Sequence, residues 1–206
     1  MVIYRRKLPD NKHNVDVEQC SVYDDFWIWW IKRIYKRRCR AIKYYDAEVY
    51  MSYTNFIKAM ELAPKCKFYT TAGGKSEEEI RKSEQILNIK FSNQCREFYE
   101  KYGYLSFYGS EIFGIDPDDD SGILEGNSVA YALNDRDEYS LPEEWIPIYD
   151  FDDGSMAYLD YSHLNKQKEP RVIMASYDGE EYEVVEILAE DFWDFVLQLV
   201  QEQTGE

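Results

Sequence analysis

Around Gly103 the sequence changes its period, and that change limits the class of fold open to it. Before that point apolar residues recur at helical spacing. Tyr53, Phe56, Ile57 and Met60 form one stripe, and Pro64 follows its end, where a ring without an N–H cannot continue a helix. Ala72-Gly73-Gly74 reads as a loop. Ser76 followed three residues on by Glu79 is a capping box, because each side chain can satisfy the other's free backbone N–H. The helix that it opens carries Ile80, Ile86 and Leu87 inward. Ser92 can cap a further helix whose stripe is Cys95, Phe98, Tyr99 and Tyr102, with Gly103 suited to the left-handed position after its end.

Beyond Gly103 the signals are those of hairpins. Residues 104–108 and 111–115 flank Gly109-Ser110. Residues 145–149 and 156–160 flank Asp153-Gly154, and 171–176 and 181–187 flank Asp178-Gly179. Asn127 or Ser128 opens a short helix to about Leu133. A last helix carries Phe192, Phe195, Val196, Leu199 and Val200 on one face, and Glu190, Asp191 and Asp194 lie near its start, where the helix dipole favours negative charge. Helices first, hairpins next and a closing helix predict an α+β fold, with an antiparallel hairpin-built sheet, N-terminal helices and a C-terminal helix packed on it.

Charge decides which partners such a fold can take. The 24 basic and 40 acidic residues give a net charge of −16. Residues 1–50 hold 11 basic and 7 acidic groups, and residues 51–206 hold 13 and 33. The boundary at residue 51 therefore separates a basic extension from a strongly acidic domain. Such a field repels phosphate backbones and attracts basic proteins, so a basic protein is the expected partner and nucleic acid is not. Aromatic residues make up 17% of the chain; some must fill a core, and any surplus would suit an interface, where Tyr and Trp are enriched.

In the extension, Trp27, Trp30, Ile31 and Ile34 share a helical face, and Lys32, Arg33, Lys36, Arg37 and Arg40 lie largely elsewhere. Three readings stay open: contact with a membrane surface or partner, packing on the chain's own acidic domain, or a true start at Met51. The longest apolar cluster near the start, Phe26 to Ile31, is too short for a spanning helix or a secretory signal, which points to the cytoplasm. Cys20, Cys39, Cys66 and Cys95 form no CxxC pair, which suits a reducing compartment, although spacing alone leaves a disulfide framework open.

Patterns for chemistry are sparse. Gly74-Lys75-Ser76 resembles the end of a phosphate loop, but Tyr69 stands where that loop needs Gly, and Glu77, Glu78 and Glu79 would repel phosphate. Asp116, Asp118 and Asp120 alternate as in an EF-hand, yet Pro117, Ser121 and Asn127 occupy positions that break it. No metal or other cofactor is expected. Ser162 beside His163 is a candidate nucleophile–base pair, against a plain surface-turn histidine. HExxH and GxSxG are absent, and no catalytic residue is assigned. What remains is a set of acidic loops mixed with aromatics. The candidate partner-binding residues are Asp118, Asp119 and Asp120 in one loop, and Asp150, Asp152 and Asp153 in another. Trp145 and Tyr149 are their candidate anchors, with burial in the core the competing reading for Trp145.

The segment IRKSEQILNIKFSNQCREFYEKYG at residues 80–103 resembles the helix–turn–helix opening of SUKH (SMI/KNR-type) proteins. Glu111-Ile112-Phe113-Gly114-Ile115 resembles that family's strand ending in Gly. Trp145-Ile146-Pro147-Ile148, Asp153-Gly154 and Tyr158-Leu159-Asp160 resemble its central hairpin, and Phe192-Trp193-Asp194-Phe195 its closing helix. The likeness covers about residues 52–203. One departure is Phe91-Ser92, where the family commonly has Leu-Pro before a helix. The resemblance implies an α+β, non-enzymatic protein. It implies either a bacterial immunity protein that blocks a toxin, often a nuclease, in the cytoplasm, or an intracellular regulator of cell-wall or signalling type.

Overall fold

The computed structural model describes residues 47–119 and 126–205, within one compact unit, Asp46–Glu206. The basic helix expected around residues 27–34, Cys20, Cys39 and Asp120 lie outside the described residues. Helix α1 (Ala47–Leu62) runs into a 3-10 turn (Ala63–Lys65) that contains Pro64. A short strand β1 (Thr70–Thr71) precedes α2 (Glu77–Leu87) and α3 (Asn93–Lys101). The hairpin β2 (Leu105–Phe107) and β3 (Ser110–Ile112) follows, then α4 (Ser128–Tyr139). Four strands come next, β4 (Trp145–Asp150), β5 (Ser155–Leu164), β6 (Pro170–Tyr177) and β7 (Tyr182–Ala189), and α5 (Phe192–Thr204) closes the fold. This is the α+β class expected.

The caps form as the sequence implies. Glu79 N donates to Ser76 Oγ at 3.2 Å and Ser76 N to Glu79 Oε2 at 2.7 Å, the reciprocal box at the start of α2. Cys95 N donates to Ser92 Oγ at 3.4 Å, and Asp194 N to Asp191 Oδ1 at 3.1 Å. Phe91-Ser92 thus stands where the family commonly has Leu-Pro without loss of a helix start.

The strands make two antiparallel sheets rather than one, β1-β2-β3 and β4-β5-β6-β7. Phe113 N donates to Ile148 O at 2.9 Å and links the two. The first hairpin turns one residue earlier than expected. Phe107 pairs with Ser110, so the turn is Tyr108-Gly109, with φ of 56° and 93°. Two consecutive positive φ values are the type I′ geometry, whose twist matches the flanking strands. Gly74 is glycine for a packing reason, since a Cβ there would lie 2.0 Å from Glu100 O. The glycine that resembled a phosphate loop is therefore where α3 meets the approach to α2. Helix α4 runs past Leu133 to Tyr139. Its last turns lack an apolar stripe and are held by polar contacts: Arg136 Nη1 donates to Leu87 O at 3.1 Å and Nη2 to Glu143 O at 2.6 Å.

The main core lies between the helices and one face of the larger sheet. Ile146, Ile148, Ala157, Leu159 and Val172 of that face are buried with Ile80, Leu87, Phe98 and Val196 of the helices. Helix α5 packs on α1, with the Phe56 and Trp193 rings 4.2 Å apart, and Asn55 Nδ2 donates to Asp194 Oδ1 at 2.6 Å. The i, i+3, i+4 spacing read from residues 192–200 is the buried face of α5.

Candidate partner-binding surface

The opposite face of the larger sheet has a different character. Side chains on paired residues of an antiparallel ladder share a face. Trp145 pairs with Asp160, Tyr158 with Ile173 and Ala175 with Val184, so these six point away from the main core. Trp145, Tyr158, Ile173, Ala175 and Leu141 form a separate small buried cluster there, flanked by half-buried Met156 and Tyr182.

A bulge sets how β4 meets this face. Pro147 pairs with Tyr158, but Tyr149 pairs with Ala157, so Ile148 is an extra residue. The extra residue reverses the alternation beyond it. Tyr149 turns to the core side, half-buried, with its ring 6.1 Å from that of Phe195 and its hydroxyl 3.4 Å from Ser110 Oγ. Asp150 pairs with Met156 and emerges on the outer face.

The β4–β5 turn gathers Asp150, Asp152 and Asp153. Asp152 N donates to Asp150 Oδ1 at 2.8 Å. Asp153 Oδ1 accepts from Ser155 Oγ at 2.6 Å and Ser155 N at 2.9 Å, and these bonds hold its carboxyl below the ordinary carboxylate range. Among the described residues, none of the three carboxylates is paired with a cation. The other predicted group sits elsewhere. Asp118 and Asp119 are exposed in the loop after β3, and Asp118 is ion-paired to Lys82 of α2. Trp145 is 9% exposed, with its ring 5.6 Å from that of Tyr158. It stiffens the surface from beneath.

Sequence reasoning passed over the feature beside that turn. Tyr131, Asp135 and Tyr139, four residues apart on α4, share one helix face. They meet Gly154, Met156 and Tyr158 of the β4–β5 hairpin, and Tyr177 and Tyr182 of the next, around a cavity of about 190 Å³. Tyr177 pairs with Tyr182 across the ladder, their rings 5.4 Å apart. The Tyr139 ring stands 5.2 Å from that of Tyr177, and the Tyr158 ring 6.0 Å from that of Tyr182. Asp135 is 6% exposed. Its carboxylate accepts from Asn134 Nδ2 at 3.0 Å, and the Tyr182 hydroxyl nearby favours its ionised form. Burial lifts its pKa above the ordinary aspartate value, and those two donors offset the rise in part. The signal in the sequence was the Tyr-x3-Asp-x3-Tyr spacing, masked by the polar residues between.

Ser162 and His163 lie in β5 rather than in a turn. His163 Nδ1 is 2.9 Å from Ser162 Oγ, 2.9 Å from Asp160 Oδ2 and 3.1 Å from Arg171 Nη2. All three contacts fall on one ring nitrogen. A relay needs the hydroxyl on one nitrogen and the carboxylate on the other, so these residues are not arranged as a triad. Asp160 instead anchors β5 to β6 through Arg171, with Nη2 at 2.8 Å. Asn127, one of the two residues expected to open a helix, is the N-cap of α4, its Oδ1 accepting from Val129 N and Asp116 N, each at 3.1 Å.

The fold and this face define an α+β protein with an acidic, tyrosine-lined surface. Residues 77–196 match the SMI1-KNR4 cell-wall family (SUKH_6), and the chain belongs to that family. SUKH domains include immunity proteins and are generally non-catalytic. A comparison with curated proteins gives no match. Among the described residues, no helix is long and apolar enough to cross a membrane.

Proposed function

We propose that this chain is an immunity protein of the cytoplasm that binds a basic toxin domain, a nuclease in particular, and covers its active site with acidic loops. The observation that carries the reading is the β4–β5 turn, where Asp150, Asp152 and Asp153 stand together without a cation among the described residues. A nuclease presents Lys and Arg to hold phosphates, and carboxylates on a fixed turn can occupy that groove in place of the substrate. Family membership and the net charge of −16 support the same reading.

The test begins with the full chain as bait in its native cell. A basic toxin is the expected capture, and association with it should slow by about tenfold or more between low and physiological salt. The triple variant Asp150→Asn, Asp152→Asn, Asp153→Asn should slow association at low salt and flatten that dependence. Association that ignores ionic strength would sink the electrostatic mechanism. The cell-wall description of the matched family favours a second reading, a regulatory scaffold for cell-wall or signalling proteins. Capture of such proteins in place of a toxin would select it.

A further inference from the structure

We infer that the tyrosine-lined cavity between α4 and the β4–β5 and β6–β7 hairpins takes an arginine side chain of the protein partner. The inference deepens the reading of the chain as a binder of a basic protein and rests on it.

Four features converge. The walls are aromatic: Tyr139, Tyr177, Tyr182 and Tyr158 follow one another around the cavity with ring separations of 5.2, 5.4 and 6.0 Å. Aromatic faces carry negative electrostatic potential and attract a cation laid over them. The base is a carboxylate. Asp135 lines the cavity, is 6% exposed, and has no cationic partner among the described residues. A buried carboxylate in that state is held only by neutral donors, here Asn134 and Tyr182, and these leave acceptor capacity on its two oxygens.

Carboxylates adjoin the lining. Gly154, which lines the cavity, follows Asp152 and Asp153 in the chain, and Asp150 pairs with Met156, another lining residue. A cation is therefore drawn toward the opening before it reaches the base. The rim is apolar. Val184 and Ile187 pair with Ala175 and Ile173, share the outer face, and are 45% and 50% exposed. They offer contact area to the backbone or neighbouring side chains that deliver the arginine. A guanidinium suits this shape better than an ammonium. Its flat face stacks on the rings while its edge presents several N–H groups to Asp135 and the tyrosine hydroxyls. A neutral ligand would leave Asp135 without a counter-charge, and an anion would meet four carboxylates.

The test uses the full chain and a probe that needs no knowledge of the partner. Nα-acetyl-arginine amide is titrated while the ring signals of Tyr139, Tyr177 and Tyr182 are followed by NMR, beside its uncharged counterpart Nα-acetyl-citrulline amide. The arginine probe should shift those three rings saturably, and the citrulline probe should bind about tenfold more weakly or not at all. Asp135→Asn should weaken the arginine probe by a similar factor. Tyr139→Ala, at a residue 42% exposed, should also weaken it and serves as a second variant that leaves the core intact. Equal binding of the two probes, no saturable shift, or unaltered affinity in both variants overturns the inference. The two readings fail separately: lack of a basic partner in the native cell would refute the toxin-binding function without changing the probe titration, whereas a captured toxin indifferent to Asp135→Asn and Tyr139→Ala would refute the arginine site alone.

Discussion

The two faces of the four-stranded sheet are built from the same strands and obey different rules. The inner face is aliphatic and closed: Ile146, Leu159 and Val172 are fully buried against helices. The outer face mixes tyrosine, carboxylate and small apolar residues: Trp145, Tyr158, Ile173 and Ala175 are buried there with Leu141, whereas Val184 and Ile187 on β7 are exposed. The inner face needs shape and volume, because dry packing rewards any contact that excludes water. The outer face keeps polar groups at ring edges and leaves a cavity where packing alone would close one. On the function proposed above, a face that forgoes compactness in this way offers a surface to a partner, whereas the inner face serves the fold.

That contrast can be broken by measurement. The largest effect is expected at the inner layer. Trp193→Ala removes a ring that packs on Phe56 and Phe98 and should cost about 3–5 kcal/mol in urea unfolding. A loss below 1 kcal/mol there would mean that the helical layer is not the stabilising one.

An intermediate effect should appear in the pH dependence of two aspartates on the outer side. Burial alone would raise the Asp160 carboxyl, but hydrogen bonds from Ser162 and Arg171 outweigh it and leave the pKa lowered. Its ionised form thus favours the folded state. That stabilisation is complete above the ordinary aspartate value of about 3.9 and is lost as pH falls through the depressed folded value. Asp135 has the opposite sign. Its folded pKa is raised, so ionisation opposes folding; the penalty is complete above the raised value and disappears as pH falls below the ordinary one. At neutral pH, Asp160→Asn should therefore unfold at lower urea than the parent, and Asp135→Asn at equal or higher urea. Midpoints ordered the other way would remove the distinction between a structural and a partner-directed carboxylate.

The smallest effect belongs to the rim. Tyr139→Ala should change stability by only about 0.5 kcal/mol, the range for exposed positions away from the core. A much larger loss would place Tyr139 in the fold's own packing and weaken the case for an open site.

Much of the fold was legible because local signals agreed with one another. Ser76 with Glu79, Ser92, Asp191, the α5 stripe and the Asp153-Gly154 and Asp178-Gly179 turns each act through neighbours in sequence, and each appears where those neighbours require. The departures have long-range causes. Helix α4 continues past Leu133 because Arg136 reaches carbonyls of Leu87 and Glu143, partners far from any helical pattern. The division into two sheets depends on where β3 meets β4, through Phe113 and Ile148, and strand periodicity is silent on it. At the candidate surface, Asp150, Asp152 and Asp153 were visible as an acidic turn. The alignment of Asp150 with the outer face was not, because the Ile148 bulge reverses the side of the strand residues that follow it. Asp135 was hidden for a related reason: a single carboxylate among many stands out only once four tyrosines from separate elements surround it.

The ladder between β6 and β7 carries two register shifts, one beside Val172 and one beside Met174. Among the described residues β7 is the end strand of its sheet, and its exposed Val184, Val185 and Ile187 make it the kind of strip on which molecules stack into fibres. The irregular pairing bends that strip and interrupts the even comb of donors and acceptors that another strand would need, while Glu183 and Glu186 add charge along it. The border can thus stay greasy enough to meet a folded partner while refusing copies of itself.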